Sequence, residues 1–423
     1  VTSVIPVSAS DVDAAATRLR GVIAPSPLQH NARLSTRTDA AVWLKREDLL
    51  PVRSYKLRGA YNLISQLDEA ARAAGVVCAS AGNHAQGVAY ACARLGVRAR
   101  VYLPRTTPRQ KRDRVASLGG DVVEVRVSGD AYDDAAAAAL RDTGETGAVL
   151  VPPFDDPRTV AGQGTVVREV VAQLGRAPDV LVVPVGGGGL LAGTLIWLRE
   201  RHPDVRVIGV EPAGAACMAA ALAEGHPVDL PELDPFVDGA SVRRAGEVTY
   251  PITREAVLTG TTSLRTVAEG MVCVEMLELY QQDGVIAEPA GALASAALAA
   301  GTLDVRPGET VVCLLSGGNN DVSRYAEVVE RALVHEGLKH YFLVDFPQEP
   351  GALRRFLDDV LGPDDDITLF EYVKRNNRET GPALVGIELG RPGDLDALLE
   401  RMRVAPPHIE RVPPDSPLFR FLL

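Results

Sequence analysis

From about residue 76 the hydrophobic and polar positions alternate between two rhythms. Short β-branched runs, GVVCASA, RARVYLP and DVVEVRV, are each followed by a longer stretch, NHAQGVAYACARLG, TTPRQKRDRVASLGG and DAYDDAAAAALRDTG. The runs predict buried strands and the stretches predict crossover helices, so the alternation predicts parallel βαβ units. A second series follows AVLVPPFDDPR. In DVLVVPVGGGGLLAG, VRVIGVEPAG and ETVVCLLSGGN a continuous apolar run precedes a glycine-rich turn, the pattern of a strand covered on both faces that hands over to a helix. The predicted fold class of residues 1–330 is α/β with two open sheets, a smaller subdomain over about 50–150 and a larger one over the remainder.

Around RALVHEGLKH, residues 331–340, the pattern changes. The rest reads as strand (YFLVDF), helix (PGALRRFLDDVLG), two strands joined by a turn (ITLFEYVKR and PALVGIEL) and helix (DLDALLERM). A closing strand is expected at HIERV. This predicts a small α+β module of order βαββα over about 337–412, in which Arg375, Asn376, Asn377 and Arg378 form a solvated hairpin turn. No internal repeat or low-complexity segment interrupts the chain.

Composition narrows the function. With 423 residues, 46% of them hydrophobic and 23% charged, the chain can bury the cores of two or three domains. A net charge of −11 argues against a nucleic-acid partner, which needs a basic face to release counterions. No apolar run reaches the roughly 20 residues that span a bilayer, and the opening VTSVIPVSASDVDAAATRLR lacks the succession of a signal peptide, so no membrane partner and a cytoplasmic location are expected. The five cysteines are odd in number and singly placed, which fits free core thiols better than disulfides or a zinc site.

Four segments carry candidate chemistry. In KREDLLPVRSYKLRGAYN, residues 45–62, Lys56 stands at the start of a predicted helix. There an amine can form a Schiff base with an aldehyde cofactor and afterwards serve as a base; taken alone it reads first as a solvated surface charge. CASAGNHAQGVAYA follows a strand and opens a helix, so Ser80, Ala81, Gly82, Asn83 and His84 set small side chains and backbone N–H groups at a positive helix end, a cradle for a carboxylate. Asn83 is either a helix cap or an amide donor to a ring hydroxyl, and His84 is either a base or a loop histidine. In PVGGGGLLAG, Gly186, Gly187, Gly188 and Gly189 let backbone amides surround a phosphate. The spacing is not GxGxxG, although Glu211 ends the next strand and keeps a dinucleotide site as the alternative. In LLSGGNND, Ser316 ends a buried strand, where its hydroxyl can either donate to a pyridine nitrogen or cap the next turn.

The S-x-K-x-RG lysine, the SAGNHAQG loop, the GGGG loop and the SGGN turn occur together in the order and approximate spacing of the β-family (fold type II, tryptophan synthase β-like) pyridoxal-phosphate enzymes. From LKREDL to the C-terminal module the chain resembles the biosynthetic threonine ammonia-lyases. That resemblance implies pyridoxal 5'-phosphate tethered to Lys56, its 3'-hydroxyl at Asn83, its phosphate held by Gly186 to Gly189 and Leu190, and its pyridine nitrogen at Ser316. It implies a substrate-carboxylate clamp at Ser80 to His84. It further implies L-threonine as substrate, 2-oxobutanoate and ammonia as products in the first step of isoleucine biosynthesis, isoleucine as feedback inhibitor with valine opposing it, and a homotetramer. The C-terminal module resembles one ACT-like regulatory domain, on DFPQEPGALRRFL and YVKRNNRETGPALVGIEL. Related serine racemases carry a serine, the acid on the far face, where this chain has Ala81; they bind a divalent cation near EPxxADD, where this chain reads EPAGAAC. Elimination without a required metal is therefore expected. A serine/threonine dehydratase of broader specificity and a non-catalytic amino-acid sensor are the competing readings.

Overall fold

The computed structural model describes residues 7–374, 377–405, 408–413, 416, 418–419 and 422. The chain forms two compact units, Val1–Asp321 and Val322–Leu423.

The first unit holds both open sheets. The smaller is parallel throughout, with strands in the order Val123–Val127, Ala99–Leu103, Val76–Ala79 and Val149–Leu150. The first three are the predicted runs, and the helices Asn83–Leu95, Arg109–Gly119 and Tyr132–Thr146 follow them as predicted. The larger sheet runs in the order Leu28–His30, Ala41–Arg46, Thr310–Leu315, Val180–Pro184, Arg206–Pro212 and Thr262–Val267, and only its first strand is antiparallel. Three of these strands, at 28–30, 41–46 and 262–267, go beyond the sequence reading. The strand Thr310–Leu315 and its SGGNND turn are followed by a helix, Tyr325–His335, as expected, and that helix belongs to the second unit.

Sheet order decides where chemistry can gather. Ala41–Arg46, Thr310–Leu315 and Val180–Pro184 are adjacent and parallel, so their carboxyl ends open on one edge. That edge is where α/β sheets bind ligands, because the following turns and helix N-termini converge there. The three strands deliver the segment leading to Lys56, the turn beginning at Ser316, and the glycine loop.

The helix Lys56–Ser65 is fixed by burial on both sides. Leu57, Ala60, Leu63 and Ile64 join Val76, Cys78, Ala85 and Val88 in the core over the small sheet. On its other flank the helix Pro157–Leu174 approaches backbone to backbone: a Cβ on Gly162 would lie 2.6 Å from the Arg58 carbonyl oxygen, so only glycine permits this approach. Arg58 itself is fully buried among Glu47 at 2.7 Å, Glu169 at 2.6 Å and Thr165 at 3.2 Å, and Lys45 reaches the same Glu169 at 2.7 Å. Two cations and two carboxylates thus satisfy one another in the interior, as buried charges must.

The second unit is the predicted βαββα module with its closing strand: Lys339–Pro347, Ala352–Val360, Asp366–Tyr372, Thr380–Glu388, Leu395–Val404 and His408–Val412. Its antiparallel sheet has the order Asp366–Tyr372, Thr380–Glu388, Lys339–Pro347, His408–Val412. Phe342, Val344, Phe346, Phe356, Val385 and Ile387 supply much of its core. In the predicted hairpin turn Asn377 adopts the left-handed region (φ 59°), which asparagine tolerates; Arg375 and Asn376 lie outside the described residues.

Candidate active site

Lys56 is the first residue of its helix, and its Nζ donates to the Pro153 carbonyl at 3.0 Å. The turn before it is stitched to the serine turn. The Tyr55 N–H donates to the Ser316 carbonyl (3.1 Å), the Gly318 N–H to the Arg53 carbonyl (2.9 Å), and Ser54 bridges Gly317. This backbone seam brings Lys56 and Ser316, 260 residues apart by number, onto one edge of the sheet. The Ser316 side chain is 3% exposed and its Oγ donates to the Ala290 carbonyl at 3.1 Å, so it does not cap the following turn.

The glycine loop links the strand Val180–Pro184 to the helix Gly189–Arg201. Its carbonyls are engaged by the protein: Gly186 accepts from the Cys217 thiol at 3.5 Å, and Gly187 accepts from the Thr249 hydroxyl at 2.6 Å and the Gly246 N–H at 3.3 Å. The loop can then offer its N–H groups to an anion. Side chains are excluded on the protein side. A Cβ on Gly186 would stand 2.9 Å from the Ala240 carbonyl oxygen, one on Gly189 would stand 2.8 Å from Phe154, and Gly188 has φ +92° with Met218 and Thr249 behind it. Leu190 is buried. This is a backbone cradle that a phosphate fits, at the N-terminus of a thirteen-residue helix whose dipole favours negative charge.

The loop Ser80 to His84 leaves the carboxyl end of Val76–Ala79 in the smaller sheet. Gly82 occupies the N-cap position and its N–H donates to Ser80 Oγ at 3.2 Å. Ala81 carries no proton donor. Asn83 does not cap the helix: its Nδ2 donates to Glu288 Oε1 at 2.6 Å and its Oδ1 accepts from Asn319 Nδ2 at 2.7 Å. His84 is buried against the Val151 carbonyl, with Nε2 2.7 Å from that oxygen. Burial, reinforced by the Lys56 charge, pushes its pKa down to about 3. A neutral imidazole tied to a carbonyl acts as structure in this loop, not as the base.

Glu288 and Asn319 were not singled out by sequence reasoning. Asn319 lies inside the SGGNND turn itself, and Glu288 is an acid inside the apolar stretch GVIAEPAGALASAALAA, a signal that could have pointed to it, since an acid rarely enters the core without partners. Glu211 has a different employment from the ribose contact a dinucleotide site requires. It accepts from the Met218 and Ala219 N–H groups at 2.7 and 2.9 Å at the start of the helix Cys217–Glu224, and burial pushes its pKa up to about 7. All five cysteines are free and buried. No helix among the described residues is long and apolar enough to cross a membrane.

A lysine at a helix start, a backbone cradle, a buried hydroxyl and a fixed amide are the kinds of group that pyridoxal 5'-phosphate requires of its site. Comparison with known proteins agrees. Residues 19–317 match the family of pyridoxal-phosphate-dependent enzymes, and residues 330–422 match the C-terminal regulatory domain of threonine dehydratase. The chain is 64% identical over 416 residues to the biosynthetic L-threonine dehydratase of Mycobacterium tuberculosis, covering 98% of this chain and 96% of that protein. Its fold is similar to the processed threonine deaminase isoform 2 of Solanum lycopersicum, with TM-score 0.70 and 38% identity over 76% of this chain and 94% of that one. It is equally similar in fold to maize serine racemase, with TM-score 0.70 and 28% identity over 78% of this chain and 98% of that one, so the fold does not separate elimination from racemisation and sequence identity has to. On that identity, and on both domain matches, the chain belongs to the pyridoxal-phosphate-dependent enzymes and, among them, to the biosynthetic threonine dehydratases with a C-terminal regulatory domain.

Proposed function

We propose that this enzyme converts L-threonine to 2-oxobutanoate and ammonia, with Lys56 as both cofactor tether and base, and that its second unit reads isoleucine. The observation that carries the catalytic assignment is the seam between the turn at residues 53–55 and the turn at residues 316–318, which sets Lys56 beside Ser316 on the edge that also bears the glycine loop. Pyridoxal 5'-phosphate, when bound, supplies the electron sink for charge developing at the substrate's Cα.

The chain's own residues do the rest. Gly186 to Gly189, with Leu190, hold the phosphate through backbone amides, and Ser316, by turning its O–H away from the Ala290 carbonyl, offers a neutral hydroxyl to the ring nitrogen. That choice leaves the ring less electron-withdrawing than an aspartate would, which suits expulsion of a β-substituent over a long-lived carbanion. Ser80 to His84 receive the threonine carboxylate at the helix N-terminus. With substrate bound, the freed Lys56 amine takes the α-proton; the β-hydroxyl leaves as water on receiving a proton relayed from the Lys56 ammonium, and addition of water to the resulting enamine, through its imine tautomer, gives the oxoacid and ammonia. Ala81 has no proton to return to the opposite face, and this favours elimination over racemisation. Glu211 is committed to a helix start, which supports a reaction without a metal at that point.

In the second unit a cavity of about 190 Å³ is lined by Pro347, Ala352, Phe356, Val360 and Ala405, with Glu349, Arg355 and Asp359 around it. An apolar floor beside a guanidinium and two carboxylates suits a branched amino acid: side chain inward, carboxylate to Arg355, ammonium to the acids. We assign isoleucine inhibition, opposed by valine, to this unit, and a homotetramer and a cytoplasmic location to the enzyme. Turnover of threonine, serine and O-acetylserine tests the substrate assignment. Threonine is expected to have the highest kcat/KM; O-acetylserine consumed with sulfide in preference to threonine overturns it.

A further inference from the structure

Glu288 immediately precedes the helix Pro289–Ala299, yet its carboxylate makes no capping bond to that helix. It is 4% exposed and turns to the active site. Oε1 accepts from Asn83 Nδ2 at 2.6 Å and Oε2 accepts from the Asn319 backbone N–H at 3.2 Å. The Asn319 side chain closes the circuit: its Nδ2 donates to Asn83 Oδ1 at 2.7 Å and to the Val52 carbonyl at 2.8 Å. The carboxylate is walled in by two glycines. A Cβ on Gly317 would collide with Oε1, and one on Gly239 would lie 3.5 Å from the same oxygen.

These bonds decide which way the Asn83 amide points. Its oxygen takes a hydrogen from Asn319 and its nitrogen gives one to Glu288, so one N–H remains. The reverse orientation would set Oδ1 against a carboxylate and Nδ2 against an N–H donor, two repulsions at once. Burial, with the Asp238 charge second, pushes the Glu288 pKa up to about 7, against the bonds from Asn83 and Asn319 and the Lys111 charge. Lys111 and Asp238 pair with each other at 2.9 Å.

We propose that Glu288 and Asn319 are positioning residues that lock the Asn83 amide with its free N–H directed at the 3'-oxygen of the cofactor, and so fix how that oxygen shares its proton. The inference rests on the assignment of Asn83 to the cofactor made above. In Glu288→Gln the new amide must set an N–H against either Asn83 Nδ2 or the Asn319 backbone N–H, so one of the two bonds is lost. Asn319→Ala frees the other end of the Asn83 amide.

The test is the visible absorbance spectrum of the holoenzyme with each variant, together with kcat and KM for threonine. Glu288→Gln and Asn319→Ala are expected to retain cofactor, to change the ratio of its two absorbance bands in the same direction as Asn83→Ala, and to lower kcat by about tenfold or more with KM changed less than threefold. Combining Glu288→Gln with Asn83→Ala is expected to add little to Asn83→Ala alone, because both act through one amide. A Glu288→Gln spectrum identical to wild type, or effects that add fully in the double variant, overturns the positioning role. A wild-type protein that shows no cofactor band after incubation with pyridoxal 5'-phosphate instead overturns the cofactor reading beneath it, so the two failures are distinguishable. Should Asn319→Ala fail to fold, Glu288→Asp gives a second comparison: it keeps the charge, withdraws it by one methylene, and is expected to fall between wild type and Glu288→Gln in band ratio.

Discussion

Replacing Arg58 by methionine removes the centre of the buried charge network beneath the lysine helix. Arg58 is fully buried and donates to both oxygens of Glu47 (2.7 and 2.8 Å) and of Glu169 (2.6 and 2.9 Å). Glu47 is buried and Glu169 partly exposed, and Lys45 can neutralise only one of them, through Glu169 at 2.7 Å. One buried negative charge is therefore stranded, and breaking a buried pair in this way costs about 3–5 kcal/mol. The unfolding entropy is about 2.1 cal/mol/K per residue near the midpoint. Over the 321 residues of the first unit this amounts to about 0.7 kcal/mol/K, so the expected fall in its midpoint is about 4–7 °C. Thermal unfolding of the cofactor-free protein, followed by far-ultraviolet circular dichroism, measures this without the added stability that ligand binding brings. The double variant Arg58→Met/Glu47→Gln discharges the stranded carboxylate and leaves the Lys45–Glu169 pair intact, and it is expected to regain at least half of the loss. A single-variant midpoint within about 1 °C of wild type, or a double variant less stable than the single, would refute the reasoning.

Three further outcomes follow from other parts of the structure. Gly187→Ala drives a methyl group into the Phe154 ring; it is expected to weaken pyridoxal 5'-phosphate binding at least tenfold in a fluorescence titration while far-ultraviolet dichroism stays that of the wild type. Arg355→Ala removes an exposed guanidinium from the cavity of the second unit. If that cavity holds the inhibitor's carboxylate, half-inhibition requires at least about tenfold more isoleucine, the equivalent of a charged hydrogen bond of about 1.5–3 kcal/mol, with uninhibited kcat unchanged; unchanged inhibition places the effector elsewhere. Because all five cysteines are buried and burial pushes the Cys78 and Cys217 thiols up to about 12, Ellman's reagent is expected to label the native enzyme slowly and all five sites rapidly in denaturant.

The glycine turns and the strands before them were legible because each strand is apolar along its whole length and each turn is punctuated by residues that only backbone geometry explains. The regulatory module was legible for the same reason, down to its closing strand at His408–Val412. What escaped was structure whose signal is polar. Ala41–Arg46 is a central strand that ends in Lys45 and Arg46, both buried, and its charges are acceptable only because Glu169 and Asp48 meet them from outside the strand. Asn83 presented the same difficulty. Its residue type permits both a cap and a ligand, and the choice is made by Glu288 and Asn319, 205 and 236 positions away. A pattern confined to neighbouring residues does not contain that information. Lys56 alone read as a surface charge; three adjacent strand ends turn it into part of a site.

The most direct test of the account is the absorbance of the purified enzyme before and after threonine, with 2-oxobutanoate measured in the same cuvette. Wild type loaded with pyridoxal 5'-phosphate is expected to show a visible band that changes on adding threonine as 2-oxobutanoate accumulates, and Lys56→Ala is expected to lose both the band of lysine-bound cofactor and the product. Steady formation of 2-oxobutanoate by Lys56→Ala, or a wild-type band that threonine leaves untouched with no product formed, would contradict it.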